Sequence, residues 1–168
     1  TLPYRPGSCP CDDEGTPSQR IPLVAKGEVA NFLYDLQTAA LAGKKSTGSG
    51  RRSGGRPPAP NLSTVIIEEG EDRFEAMVKD MKEGLIVEQL IGAEQGNLLN
   101  GDFSGNVLLG YKVANGNIVG RVKDTMVSGN VYQVLKEIIG VGNKARWVDG
   151  IFLVPHLYCP LLSVVTRT

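Results

Sequence analysis

Four cysteine and histidine side chains of this sequence could bind a metal or move a proton. Cys9 and Cys11 flank Pro10, and His156 stands three residues before Cys159. Hydrolysis at a metal needs about three protein ligands and one open position, where a bound water is activated. These residues are the candidate donors for such a site. The Cys9-x-Cys11 spacing is uncommon for zinc, His156-x-x-Cys159 is acceptable, and the two pairs lie at opposite ends of the chain. The plainer reading is a Cys159 packed in the core and a Cys9 pair exposed by chance. His156 is the single histidine, so a nucleophile activated by an imidazole would have to use it. It sits between Pro155 and Leu157 in an apolar stretch and reads as a core or edge histidine.

Two further segments carry charge in a pattern. Asp12-Asp13-Glu14-Gly15 sets three carboxylates side by side. They could hold a hard cation such as Ca²⁺ or Mg²⁺ through oxygen, a substrate N-terminus, or a partner's arginine. The competing reading is a solvated turn in which Asp caps the local backbone and Gly15 takes a positive φ. Residues 44–61 run KKSTGSGRRSGGRPPAPN, with Lys44, Lys45, Arg51, Arg52 and Arg56 and no acid. Glycines there let backbone N–H groups approach an anion, and Arg51 and Arg52 could hold a carboxylate or phosphate. The segment lacks the Lys-Ser/Thr ending of a nucleotide-binding loop. A flexible basic loop with no ligand is the competing reading.

The elements that must position these groups can be read in part. Residues 1–19 are a Pro-rich, irregular lead-in. Arg20 to Ala25 and Val29 to Tyr34, around Lys26-Gly27-Glu28, suggest a hairpin, with Pro22 at an edge. Asp35 opens a short helix through Leu36, Ala39 and Ala40 that Gly43 stops. Ser63 to Ile67 reads as a strand. Asp72 and Glu75 fit a capping pair for a helix whose face is Phe74, Met77, Val78 and Met81. Gly84 ends that helix, and Leu85 to Ile91 follows as a buried strand. Ser104 to Val113 and Ile118 to Val122 flank Asn115-Gly116, a strong hairpin signal, and Asp124 to Ser128 adds a strand. Asn130 caps a helix with Val131, Val134, Leu135, Ile138 and Ile139 on one face, and Gly140 closes it. Both helix faces are assigned to packing. Residues 140–150 read as a glycine-bearing loop and Leu161 to Thr166 as a last strand. The fold class is α+β: mainly antiparallel β-sheet, barrel-like or layered, with a few packed helices.

Composition limits the partners. With 41% hydrophobic residues in 168, the chain can bury a core as one domain. Lys plus Arg and Asp plus Glu are both 18, and this balance does not favour a nucleic-acid or membrane-surface binder. The basic loop also has no interleaved aromatic rings for bases to stack on. Apolar runs such as Ile151 to Val154 are too short to span a bilayer. No leader is visible, and the odd cysteine count points to a reducing cytoplasm. The start at Thr1 in a Pro-rich stretch suggests a piece of a longer chain.

Seven segments recur in a familiar order: Asp12-Asp13-Glu14-Gly15-Thr16-Pro17; Lys26-Gly27-Glu28-Val29 leading into Asn31 to Asp35; Ser46-Thr47-Gly48-Ser49-Gly50-Arg51-Arg52 with Pro57-Pro58-Ala59-Pro60-Asn61; Gly101-Asp102-Phe103-Ser104; Asn115-Gly116-Asn117-Ile118-Val119; Ser128-Gly129-Asn130; and Val141-Gly142-Asn143. Together they resemble the C-terminal domain of the TldD/PmbA family, also called modulators of DNA gyrase. The resemblance implies a metal-dependent peptidase built from two related subunits, with an N-terminal domain that this chain does not include. In the active subunit a His-Glu-x-x-x-His helix upstream of the acidic turn supplies ligands, and a Cys in a glycine-rich loop after Val-Gly-Asn supplies another. Here the chain begins almost at the turn, and KARWVDGIFLVPHLYCPLLSVV after Asn143 has no Cys-Gly.

That departure resembles the PmbA or TldE partner subunit. It implies no catalytic residue and no metal in this chain, with zinc in a metal-bearing homologous subunit. Partners would be that homologue or a second copy, and unfolded peptide as substrate, with no membrane. Asp12, Asp13, Glu14, Arg51, Arg52, Asn61 and Asp102 are then expected to line a substrate groove or subunit interface. The alternative is a stand-alone module that binds acidic peptide or phosphate through residues 44–56. An active subunit with its ligands upstream is a third possibility.

Overall fold

The computed structural model describes residues 2, 4–94, 96–160 and 162–166. Along the chain run β1 (Val24–Ala25), β2 (Glu28–Val29), α1 (Leu36–Leu41), β3 (Gly50–Arg51), β4 (Ala59–Pro60), β5 (Val65–Ile66), α2 (Phe74–Asp80), β6 (Glu83–Ile91), a 3-10 turn (Leu98–Asn100), β7 (Asp102–Ala114), β8 (Asn117–Arg121), β9 (Thr125–Asn130), α3 (Val131–Lys136), β10 (Gly140–Val148), β11 (Phe152–Tyr158) and β12 (Ser163–Thr166). The architecture is α+β, mostly antiparallel strand pairs with short helices. The chain divides into two units, residues 1–67 with 146–154, and residues 68–145 with 155–168.

The first unit is mostly loop, with two-residue strands. The expected hairpin forms at Lys26-Gly27, both with positive φ (52° and 81°), as a two-residue turn between β1 and β2 requires. It pairs only Val24 with Val29 and Ala25 with Glu28, and Pro22 precedes it with its carbonyl accepting from Asn31 Nδ2 at 2.8 Å. So short a pair gains little from cross-strand contacts. Asp35 opens α1 as expected, through a capping box with Thr38, and Gly43 follows with φ 62°. The basic segment is not one open loop: β3 and β4 pair within it, Gly50 opposite Pro60 and Arg51 opposite Ala59. Strand β5 lies parallel to the start of β11, Val65 beside Phe152 and Ile66 beside Leu153.

The second unit is organised around β7. Its first half pairs with β9, Asp102 opposite Asn130 through Asn106 opposite Met126. Its second half pairs with β6 on one side and β8 on the other, and β12 pairs outside β9. The sheet is antiparallel, in the order β12-β9-β7-β6 with β8 also on β7. Asn115 (φ 49°) and Gly116 (φ 73°) form the turn between β7 and β8. A Cβ at Gly116 would also press on the Lys79 carbonyl, so both conformation and space select glycine. The core is Val78, Ile86 and Val113, with Phe74, Met81 and Tyr111 packed on it. The α2 face read from helical spacing therefore does its expected work.

Four expectations need correction in this unit. Asp72 does not cap α2: the N-cap is Arg73, with no side-chain cap bond. The Asp72 carboxylate instead accepts from Val141 N at 3.1 Å, and its carbonyl accepts from Asn143 N at 2.8 Å. Gly84 lies inside β6, because α2 has already ended when Met81 turns extended (ψ 117°). Residues 140–148 are strand, not loop. Their glycines mark close approaches rather than turns: a Cβ at Gly140 would meet Asp72 Oδ2, and one at Gly142 the His156 backbone. Helix α3 ends at Lys136, so Ile138 and Ile139 lie beyond it and Gly140 opens β10 instead of closing the helix. Its face is not core, since Val131 and Leu135 are exposed and Val134 is half-buried. The last strand begins at Ser163; Leu161, expected to start it, lies outside the described residues. No helix is long and apolar enough to cross a membrane.

Val113 is completely buried, so Val113→Ala should cost about 2 kcal/mol of stability. Urea unfolding reads this as a lower midpoint at unchanged slope. Val119→Ala on exposed β8 should shift stability by less than about 0.5 kcal/mol.

Candidate functional site

Asp12 is 4% exposed, and its carboxylate is surrounded by amides. Oδ1 accepts from Glu14 N at 3.0 Å and Thr16 N at 2.8 Å, and Oδ2 accepts from Gly50 N at 2.8 Å. The first two bonds close the acidic turn on itself, and Gly15 has the expected positive φ, 79°. The third reaches across to the basic loop, where Asp13 N also donates to Gly50 O at 3.0 Å. A buried carboxylate is tolerable only when such charge-assisted donors replace its water.

The neighbouring acids repeat the pattern. Asp13 Oδ2 accepts from Arg52 N at 2.7 Å, and Oδ1 lies 3.6 Å from Arg51 Nη1. Glu14 Oε2 accepts from Leu36 N at 2.8 Å, the first amide of α1. Helix-terminal amides lack an intrahelical acceptor, so Glu14 supplies one. A Cβ on Gly50 would collide with this same Glu14 carboxyl. The glycine-rich loop thus offers backbone N–H groups to anions as its composition suggests, and the anions are the chain's own Asp12 and Asp13.

The rest of the loop is fixed from the other side. Thr47 N and Ser46 Oγ donate to Tyr34 O at 3.0 and 3.2 Å, and Tyr34 N donates to Thr47 Oγ1 at 2.7 Å. Gly48 (φ 66°) passes against the Pro17 carbonyl so closely that no side chain fits. Asn61 N donates to Ser49 O at 2.9 Å. Six of the seven expected site residues, Asp12, Asp13, Glu14, Arg51, Arg52 and Asn61, therefore meet in one cluster. Asp102 does not belong to it. It lies in the second unit, where Asn130 Nδ2 donates to Asp102 Oδ1 at 2.8 Å while Asn130 Oδ1 caps α3 through Tyr132 N and Gln133 N.

The sequence places Asp35 at the start of α1 but gives no sign of its burial, at 2% exposed. The Thr38 hydroxyl and amide both donate to its Oδ1 at 2.6 Å. These bonds, the hydroxyl's first, hold the carboxyl below its ordinary value against the opposing effect of burial. The Asp-x-x-Thr spacing was the available signal. Arg5 stacked 3.8 Å over Trp147 had none, because the pair is distant in sequence.

The four candidate donors do not assemble into one site. His156 stacks on Phe74 with ring centroids 4.4 Å apart, and its Nε2 lies 3.9 Å from Glu88 Oε1. Cys159 is half-buried, which pushes its thiol up. Among the described residues no group of three His, Cys, Asp or Glu could hold a metal ion. The oxygens of the acidic turn face N–H donors, so these residues do not fit a metal.

Asp12→Ala leaves three amides without their acceptor and should lower stability by about 3 kcal/mol. Asp13→Ala, which breaks a partly exposed ion pair, should cost less than Asp12→Ala. Chemical denaturation measures both. Asp35 contributes stability that is present above its unfolded pKa and lost as pH falls through its lower folded value. Melting temperatures measured from neutral to strongly acid pH should fall less steeply in Asp35→Asn than in the wild type.

With this geometry established, comparison with known proteins gives the family. The family model described as PmbA/TldA metallopeptidase C-terminal domain matches residues 1–166. A metalloprotease TldD homolog from Buchnera aphidicola is 30% identical over 151 residues, 89% of this chain and 31% of that protein. An uncharacterized Methanocaldococcus jannaschii protein is 34% identical over 139 residues, covering 83% and 32%. A Thermotoga maritima structure described as a candidate modulator of a DNA gyrase superposes with TM-score 0.82 and 34% identity, covering 98% of this chain and 38% of that one. TldE from Thermococcus kodakarensis gives TM-score 0.78 and 26% identity, covering 92% and 36%. The chain spans about a third of the length of these relatives. It belongs to the PmbA/TldD family, of which it is a metallopeptidase C-terminal domain.

Proposed function

We propose that the protein carrying this chain is the subunit without metal in a TldD/PmbA-type peptidase. It shapes the chamber in which a metal-bearing homologue cuts unfolded peptides. The supporting observation is the segment after Val141-Gly142-Asn143. It continues as β10 and then β11, contains no cysteine until Cys159, and seats its one histidine against Phe74 and Glu88. Relatives are named for both sides, a TldD homolog and a TldE, so the donor pattern is the argument for the subunit.

In this reading the cluster around Asp12 is a rigid wall. Asp13 engages Arg51, and Arg52 is exposed on the same loop, where its guanidinium can hold a peptide carboxylate or carbonyl. Asn61 extends that wall through its amide bond to Ser49 O, while Asp102, in the second unit, orients the cap of α3. The stand-alone module is less favoured, because Asp12 and Asp13 already take the Gly50 and Arg52 amides that a free anion would use.

The test is zinc analysis of the complete purified protein with and without its metal-bearing homologue. Stoichiometric zinc and peptidase activity only in the mixture are expected. Stoichiometric zinc on this protein alone would overturn the assignment. In the mixture, Arg52→Ala should raise KM by roughly threefold to tenfold with kcat unchanged, the pattern of lost uniform binding.

A further inference from the structure

The thiols of Cys9 and Cys11 have no part in the proposed chamber. We propose that they form a two-coordinate site for a thiophilic d¹⁰ cation, Cu(I). This does not depend on which subunit the protein is.

The spacing sets the reach. Two trans peptide units of about 3.8 Å each keep the two Cα atoms within about 7.6 Å, and no peptide here is cis. The chain bends at Pro10, which shortens that span, and the proline ring fixes φ between the two thiols. The backbone on the far side is pinned. Ser18 N donates to Pro10 O at 3.0 Å, Asp12 N donates to Thr16 O at 2.9 Å, and Cys11 is bridged to Pro17. These bonds belong to the turn that Asp12 holds, so the pair sits on one of the better-fixed stretches of the lead-in. Both thiols are unbridged, Cys11 exposed and Cys9 half-buried, so an ion can reach them.

The donor count selects the ion. Soft thiolates favour Cu(I), zinc and iron–sulfur clusters. Structural zinc and clusters need about four protein ligands. Among the described residues no third His, Cys, Asp or Glu completes a group with this pair. Cu(I) is satisfied by a near-linear dithiolate. Binding forms two Cu–S bonds and releases both thiol protons to solvent, with no change of oxidation state, so uptake must strengthen as pH rises.

The complete protein, fully reduced and without oxygen, is titrated with Cu(I) against a chromophoric Cu(I) chelator. The wild type should retain about one equivalent more than Cys9→Ser or Cys11→Ser, with zinc not competing. Cys159→Ser should match the wild type. A near-ultraviolet thiolate-to-copper absorption should develop in the wild type, a readout that needs no variant. Equal Cu(I) retention by wild type and Cys9→Ser would overturn the proposal, and so would preferential zinc uptake. A third overturning result is conversion of the pair to a disulfide by oxidised glutathione while Cu(I) retention stays at the level of the variants.

Discussion

A buried carboxylate holds the first unit together. Removing Asp12 from water carries a large desolvation cost, and three backbone N–H donors offset it at 2.8 to 3.0 Å. Two of these donors are local and shape the acidic turn. The third, Gly50 N, lies 38 residues away, so one side chain both folds its own turn and fixes the glycine-rich loop. Glu14 extends the arrangement to the start of α1, and Asp13 extends it to Arg51 and Arg52. With two-residue strands and little buried apolar surface, this unit relies on polar satisfaction where a larger domain would rely on a core.

The second unit rests on the hydrophobic effect. Val113 and Val127 are almost wholly buried along β7 and β9, and α2 closes over the core with Val78. Glycine serves here as a spacer. At Gly105 and Gly142 a neighbouring segment leaves only tight room for a Cβ, and at Gly140 a Cβ would meet the Asp72 carboxylate. The contacts that result let Asp72 join β10 and let His156 lie against Phe74.

Under the proposed function the two kinds of construction make a wall and not a reactive centre. A catalytic group needs unsatisfied capacity aimed at a substrate. The acids of the turn have spent theirs on the chain's own amides, and the histidine lies against an aromatic ring and a glutamate. The exposed surface includes a basic loop edge at Arg52 and the unburied apolar face of α3. In the proposed assembly these are surfaces for contact, and the chain makes up about a third of its relatives' length.

The sequence alone determined the features set by neighbours a few residues apart. Asn115-Gly116 signalled a tight hairpin turn, because both residue types tolerate the positive φ that they adopt here. Asp35 before an apolar helical run marked α1, and the spacing of Phe74, Met77, Val78 and Met81 gave the buried face of α2. The run of acids and the run of basic residues and glycines were each visible, and so was the family pattern they belong to. Only the tertiary structure decided that these runs answer each other, because the pairing of Asp12 with Gly50 leaves no local trace. It likewise decided that Asp72 serves β10 and not a helix cap, that residues 140–148 form a strand, and that the apolar face of α3 stays exposed. Each depends on which distant segment arrives within hydrogen-bonding or van der Waals distance, and side-chain type and spacing do not encode that.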